Sequence, residues 1–258
     1  FIIKDKLLFI NNNMDDKKYI TESIFLLNDQ TFYEENGKMK IIKKHNWHHI
    51  LNEYGWEKLP KQWIKILNSY LDKPIKNSLY GSLDCGGEGD CLFHCISYVF
   101  NETNMNEYEN FDSHDLRVKI SEKLTKERYE DLIELYKIMN QANDFDEMWN
   151  PEEITMDNFK GLLVDGGDNF WGDFLSLSLI KETLNINIIM LNSNEITDEY
   201  YNYPLFYEYD KDLTTIILLY ENEIHFKLVG NFQGSKMIFL FNHKNIPKEL
   251  LKLINYLR

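Results

Sequence analysis

The stretch Asp84-Cys85-Gly86-Gly87-Glu88-Gly89-Asp90-Cys91-Leu92-Phe93-His94-Cys95-Ile96-Ser97 contains all three cysteines of the chain. Its three glycines precede a run in which apolar residues recur at helical spacing, at positions 92, 96, 99 and 100. Asp90 is a favourable N-cap, so Cys91 is predicted in the first turn of a helix. There, unpaired backbone N–H groups and the positive end of the helix dipole favour a thiolate and are expected to lower the thiol pKa.

The glycines ahead of Cys91 suggest a second feature of a nucleophile site. Flexible backbone can turn its amide groups toward an oxyanion that forms beside the sulfur. We therefore predict that Cys91 is a nucleophile and that Glu88, Gly89 and Asp90 form an oxyanion loop, with Glu88 acting through its backbone. The alternative is that Cys91 is one more buried structural cysteine.

Three segments carry a family resemblance. Glu88-Gly89-Asp90-Cys91-Leu92-Phe93 resembles the Asp-Gly-x-Cys-Leu/Phe-Phe signature of the ovarian tumour (OTU) family of cysteine proteases, which are deubiquitinases. Phe170-Trp171-Gly172-Asp173 resembles the Trp-Gly-Gly/Asp block of that family, and Ile224-His225-Phe226 resembles its His-aromatic strand. The chain departs from the family at Glu88, where Asp is usual, and at His94, where Arg is common.

The resemblance implies an α+β protein with a papain-like OTU fold, in which helices flank a small, mostly antiparallel sheet. It implies that Cys91 attacks the carbonyl after the Gly-Gly end of ubiquitin, with His225 as the base and with no metal or other cofactor. The implied partners are ubiquitin, polyubiquitin chains or a ubiquitin-like modifier. Trp171 is expected either to wall the channel for the glycine pair or to be a core aromatic.

The third catalytic residue is where the chain departs most from the family. Many members orient the histidine with an Asp or Asn two positions after it, but here that position is Lys227, which has no acceptor. A two-residue turn at 233–234 would place Asn242 across the hairpin from His225, so Asn242 is predicted to orient the imidazole. Asp84 is the alternative, because some members supply the acidic group from upstream of the cysteine.

Composition limits the partners and the compartment. The net charge of −14 argues against nucleic acid, whose phosphates require Lys and Arg, and an acidic surface would suit a basic protein partner. Three clustered cysteines point to a reducing compartment, so a cytoplasmic location is expected, in a host if the source is a virus or an intracellular bacterium. No apolar run is long enough to predict a membrane span.

The chain is predicted to divide into an N-terminal helical extension or subdomain, residues 1–78, and an OTU-like protease domain, residues 79–258. The first part is expected to be a ubiquitin-binding or targeting extension, or a structural subdomain. Its helical pattern runs over 40–71, and Pro60 is predicted to start its second helix. Residues 192–212 are predicted to be a long loop.

Other function classes remain open at this point. Cys85, Cys91 and Cys95 with His94 could bind a metal in an interaction protein, although structural zinc sites favour Cys pairs of closer spacing. A catalytically inactive ubiquitin-binding module would keep the same motifs. An unrelated cysteine peptidase or acyltransferase is a further alternative.

Overall fold

The computed structural model describes residues 17–103, 111–143, 145, 149–193, 204–206 and 209–256, and these residues fold as two units. The first unit consists of Phe1–Leu83 with Gly230–Ile238, and the second consists of Asp84–Val229 with Phe239–Arg258. The predicted site residues all belong to the second unit. The predicted boundary at residue 78 stays a prediction.

The first unit begins with an antiparallel sheet that the sequence analysis missed. Its strands, in spatial order, are β1 (Lys18–Tyr19), β2 (Ile24–Leu27), β3 (Gln30–Glu35) and β4 (Lys38–Ile41). The turns at Asn28-Asp29 and Asn36-Gly37 have positive φ at both positions, which is typical of two-residue hairpin turns. These short turns and the apolar run of β2 were the available signals, whereas β1 and β4 are mostly polar and exposed.

The rest of the first unit is only partly helical. Its elements are α1 (Trp47–Ile50), a 3₁₀ turn (Leu51–Tyr54), β5 (Trp56–Lys58), α2 (Lys61–Ser69), β6 (Tyr80–Leu83) and β11 (Lys236–Ile238). The predicted helical pattern over 40–71, with its two helices, is therefore interrupted by the strand β5, which pairs antiparallel with β6. Pro60 is the N-cap of α2, so the predicted start of that helix is confirmed to within one residue.

Trp47 lies at the centre of this unit and is fully buried. Its ring stacks on Phe232, and its indole N–H donates to the carbonyl of Ser78 at 3.0 Å. Trp47→Ala is expected to lower the free energy of unfolding by about 3–5 kcal/mol, because it removes a large buried ring and leaves a cavity. Urea unfolding would measure this loss. Met39→Ala is the matched control, since Met39 is exposed, and an equal effect in both variants would contradict the assignment.

The second unit carries six of the described helices. They are α3 (Cys91–Glu102), α4 (Ser113–Lys123), α5 (Lys126–Gln141), α6 (Met156–Asp165), α7 (Phe174–Leu184) and α8 (Lys248–Tyr256). Asp112 and Asp173 cap α4 and α7 through reciprocal capping boxes. Among the described residues no helix has both the length and the apolar character to cross a membrane.

The strands of the second unit form a mixed, mostly antiparallel arrangement. They are β7 (Asn187–Ser193), β8 (Pro204–Phe206), β9 (Thr215–Glu221), the first part of β10 (His225–Gln233) and β12 (Leu240–Phe241). β9 pairs in parallel with β7 and antiparallel with β10 and β12. The predicted α+β class is confirmed. β8 interrupts the predicted loop over 192–212, of which residues 194–203 and 207–208 lie outside the described residues.

The predicted register of the last hairpin is wrong. Gln233 pairs with Lys236, so the turn is Gly234-Ser235 rather than Gln233-Gly234. Gly234 has a φ of +65°, and it takes the turn position that requires a residue tolerant of positive φ. Because β12 then pairs with β9, Asn242 is not brought opposite His225.

Candidate active site

Cys91 is the first residue of α3, as predicted, and its side chain is 7 % exposed. The sulfur accepts a hydrogen bond from the backbone N–H of Phe226 at 3.4 Å. Phe226 directly follows His225 on β10, so the strand that carries the histidine contacts the start of the cysteine helix. Two of the predicted residues are thereby brought together across 134 positions of sequence.

The predicted lowering of the Cys91 pKa is wrong. Burial raises the pKa of the Cys91 thiol above its usual value, and the charge of Asp84 acts in the same direction. The backbone N–H groups of Phe226, Leu92 and Cys91 itself lower the pKa, as expected at a helix start, but they do not offset the loss of water. The resting thiol is therefore protonated near neutral pH, and a nearby base is needed to make it reactive.

Alkylation of Cys91 by iodoacetamide is expected to accelerate with pH up to a midpoint above that of a free thiol such as glutathione. The reactive species is the thiolate, and a raised pKa moves its formation to higher pH. The rate should be followed by mass spectrometry of the Cys91 peptide between pH 6 and about 10.5, which spans the ordinary thiol range. A midpoint below that of glutathione would contradict the burial argument.

His225 lies beside a carboxylate. Its Nε2 atom is 3.1 Å from Oδ1 of Asp84, which is within ion-pair distance when the imidazole is protonated. Nε2 is buried and has no aligned hydrogen-bond partner among the described residues. A small rotation of either side chain would convert this electrostatic contact into a hydrogen bond.

The electrostatic surroundings favour the charged form of Asp84. Partial burial raises the pKa of its carboxyl, but the N–H of Gly86, at 3.0 Å, and the neighbouring His225 and Lys227 outweigh burial, so the pKa lies below its usual value. Asp84 is consequently ionised at neutral pH. Asp84 directly follows β6 and precedes a glycine-rich loop. This position in the sequence was the indication that Asp84 could belong to the site.

Asn242, the predicted third residue, has a different environment. Its side-chain oxygen accepts hydrogen bonds from the backbone N–H groups of Lys244 and Asn245, at 2.9 and 3.1 Å, and so closes a turn after β12. The residue paired with His225 is instead Glu221. The Glu221 carboxylate is bound by Lys227 at 2.7 Å. Asp84, the alternative named from the sequence, is the carboxylate that contacts the imidazole.

Asp84→Ala is expected to lower kcat by about 10- to 1,000-fold, because the imidazole loses the group that orients it. Asp84→Asn should lose less, since an amide oxygen still accepts the imidazole N–H. Asn242→Ala is the matched control and should retain kcat, although its turn is weakened. Steady-state hydrolysis of the substrate that the motif resemblance implies, a fluorogenic ubiquitin C-terminal amide, would measure all three variants. Loss of turnover in Asn242→Ala with normal turnover in Asp84→Ala would reverse the assignment.

The predicted oxyanion loop has a left-handed backbone. Glu88 and Gly89 have φ of +58° and +83°, and Glu88 adopts this conformation without the freedom of glycine, at a cost of roughly 1–2 kcal/mol. Asp90 is at the N-cap position of α3, as predicted, but its side chain makes no capping hydrogen bond. Its carboxylate instead binds the side chain of Arg117.

Trp171 is 46 % exposed, which rules out the alternative that it is a core aromatic. The next residue, Gly172, packs against α3 so closely that a Cβ there would lie 2.8 Å from Cβ of Leu92. Trp171 is therefore an exposed aromatic residue whose sequence neighbour, Gly172, packs against Leu92, the residue that follows Cys91. A place in the substrate channel stays a prediction.

The other two cysteines lack these features. Cys95 is fully buried, its S–H donates to the carbonyl of Phe226 at 3.6 Å, and burial together with nearby Cys85 raises its pKa. The ring of His94 lies against Gly86. In the part of the chain that the structure describes, no three His, Cys, Asp or Glu side chains are arranged to hold a metal ion.

Sequence analysis missed one residue next to this site, Arg117. Arg117 could have been found from its position between the buried residues Leu116 and Ile120 of α4. A charged side chain in a buried stripe of a helix is rarely left without a partner of opposite charge. The partner, Asp90, is 27 residues away in sequence, so neither local pattern reveals the pair.

Comparisons with known proteins found matches among solved structures. No protein-family model and no curated protein sequence matches this chain. The chain is similar to the viral OTU domain protease from Dera Ghazi Khan virus, with 12 % identity, a TM-score of 0.41 and coverage of 60 % of this chain and 82 % of that one. It is also similar to an OTU domain in complex with ubiquitin, with 19 % identity, a TM-score of 0.41 and coverage of 68 % and 81 %. The Hazara virus OTU bound to ubiquitin has 8 % identity, a TM-score of 0.38 and coverage of 88 % and 99 %. These three neighbours are OTU domains, the family that the sequence motifs of this chain resemble.

Proposed function

We propose that this protein is a thiol-dependent deubiquitinase that hydrolyses the isopeptide bond after the Gly-Gly end of ubiquitin. The observation that supports it is the contact between the start of α3 and the start of β10. Cys91 begins the helix, His225 begins the strand, and Asp84 lies 3.1 Å from the imidazole. A thiol, an imidazole and a carboxylate in one place are the groups that nucleophilic acyl transfer requires.

The reaction proceeds through a thioester. His225 accepts the proton of the Cys91 thiol as the sulfur attacks the scissile carbonyl, and the oxyanion forms beside the 88–90 loop. The intermediate collapses as the imidazolium gives its proton to the leaving lysine amine. A water molecule that loses a proton to His225 then attacks the thioester, and the proton returns to the sulfur as ubiquitin leaves. Asp84 stabilises the imidazolium and limits its rotation.

The substrate class follows from the motif resemblance rather than from the geometry. The overall charge of −14 is consistent with a basic peptide tail as the group that enters the site. Ubiquitin and polyubiquitin chains are accordingly the proposed partners. A ubiquitin-like modifier would be cleaved by the same reaction. Residues 79–258 are proposed to contain the whole catalytic function.

An electrophilic ubiquitin C-terminal probe tests the proposal. The wild-type protein should form a covalent adduct whose mass equals the sum of the two proteins, and peptide mapping should locate the bond at Cys91. Cys85→Ala is the control that should still react. Reversible binding of ubiquitin without an adduct would favour an inactive binding module. Neither binding nor an adduct would remove ubiquitin as the substrate.

A further inference from the structure

Arg117 is a buried cation that the reaction described above does not use. It lies on α4 and is 1 % exposed. Its Nε donates to Oδ1 of Asp90 at 2.8 Å, and its Nη2 donates to the same oxygen. A buried charge is retained only where it is paired and hydrogen-bonded, so the position of Asp90 is tied to that of Arg117.

The same guanidinium also binds three backbone carbonyls. It donates to Leu163 at 3.2 Å, to Phe170 at 3.0 Å and to Gly89 at 3.4 Å. The plane of the group lies over the ring of Phe93 at 3.6 Å. Arg117 therefore joins the oxyanion loop, helix α3, the end of α6 and the segment before Trp171. Of the common side chains, only arginine offers enough fixed donors for this set.

Two glycines complete the enclosure of the loop. The N–H of Gly167 donates to Oδ1 of Asp90 at 3.2 Å. Gly89 lies so close to the carbonyl of Gly167 that a Cβ at Gly89 would overlap it, and a Cβ at Gly166 would overlap the guanidinium of Arg117. The backbone at 89–90 is thus enclosed by Arg117 and by the 166–167 turn. These contacts hold the left-handed conformation of Glu88 and Gly89 in place.

We propose that Arg117 is a positioning residue for the oxyanion loop, an inference that rests on the proposed function. It acts through Asp90 and Gly89 and does not touch the substrate. An oxyanion site accelerates acyl transfer only if its donors are already in place when charge develops, which requires a rigid loop. The Asp90 carboxylate supports this assignment. It binds Arg117, although it lies at the N-cap position of α3, and the start of α3 therefore has no side-chain cap.

Two rates measured on the Arg117→Lys variant distinguish a role in positioning the oxyanion loop from a general role in stability. Hydrolysis of a fluorogenic ubiquitin C-terminal amide passes through an oxyanion, whereas alkylation of Cys91 by iodoacetamide does not. Lysine keeps the charge but loses the planar set of donors. Hydrolysis is expected to fall by about 10- to 100-fold, mainly in kcat, which is somewhat less than the loss of a direct oxyanion donor. Alkylation should stay within about twofold, because it requires the thiolate but no oxyanion donor.

Arg128→Lys is the matched control. Arg128 lies on α5 of the same unit, donates to Ser178 Oγ at 2.5 Å and pairs with Glu182 at 3.0 Å. Its contacts with Ser178 and Glu182 lie away from the oxyanion loop in sequence and on other elements, so both rates should remain at the wild-type values. Thermal unfolding confirms that each variant is folded. If Arg117→Lys does not fold, Asp90→Asn takes its place, because it removes the charge of the pair while keeping an oxygen acceptor.

An activated ester distinguishes failure of this inference from failure of the proposed function. Acylation of Cys91 by p-nitrophenyl acetate also forms an oxyanion but needs no ubiquitin. If the wild-type protein does not hydrolyse the ubiquitin amide, the ratio of ester acylation to alkylation is compared instead. A selective fall in ester acylation supports positioning by Arg117. Equal falls in the two rates, or no fall in either, would overturn it.

Discussion

Replacing Cys91 with alanine is expected to abolish cleavage of ubiquitin chains, with a fall in turnover of roughly 10⁴-fold or more. The reason is that no other cysteine can replace this sulfur. Cys91 starts α3 and contacts the strand that carries His225, whereas Cys95 is fully enclosed and binds a backbone carbonyl. Initial rates of di-ubiquitin cleavage, followed by gel electrophoresis, measure the loss.

Cys85→Ala and Cys95→Ala are the controls and should retain most of the turnover. Cys95→Ala is expected to lower stability by about 1 kcal/mol, because it leaves a small cavity in the core, so its assay belongs well below the unfolding temperature. Cys91→Ala should still bind ubiquitin with near-normal affinity. Equal loss of activity in the three variants would indicate a shared structural role of the cysteines and would exclude Cys91 as a single nucleophile.

His225→Ala is expected to lower turnover by about 10²- to 10⁴-fold while the protein stays folded. The effect is large because burial raises the pKa of the Cys91 thiol, so little thiolate forms without a base. The variant should also lose its capacity to protonate the leaving amine. Hydrolysis of the fluorogenic ubiquitin amide as a function of pH measures both consequences, since residual turnover should rise with pH as hydroxide forms the thiolate.

His243→Ala is the matched control for this experiment. His243 follows β12, and its Nδ1 lies 3.3 Å from the hydroxyl of Tyr209. Its loss should leave turnover unchanged. Added imidazole is expected to restore part of the activity of His225→Ala but none of that of Cys91→Ala. Turnover near the wild-type value in His225→Ala would exclude this residue as the base.

Several features of the fold and site were determined by short stretches of sequence. The start of α3 at Cys91 and the start of α2 after Pro60 follow from residues within a few positions of one another. Helix caps, glycine turns and apolar periodicity act over one or two turns of backbone, so their effect is visible without the fold. The sheet over Lys18–Ile41 was missed because β1 and β4 are short and mostly exposed, so that only the apolar run of β2 and the turns carried a local signal.

The remaining features were decided by tertiary structure, because each depends on groups distant in sequence. A turn displaced by one residue removed Asn242 from the histidine, and Asp84 lies beside it instead. Asp90 lies at the N-cap position that its sequence predicts, yet its carboxylate binds a buried arginine on another helix. A buried charge without a partner costs more free energy than a helix start without a side-chain cap. The sequence alone determined where the thiol lies on its helix. The fold determined its pKa, because burial is a property of the whole packed unit and outweighs the local helix dipole.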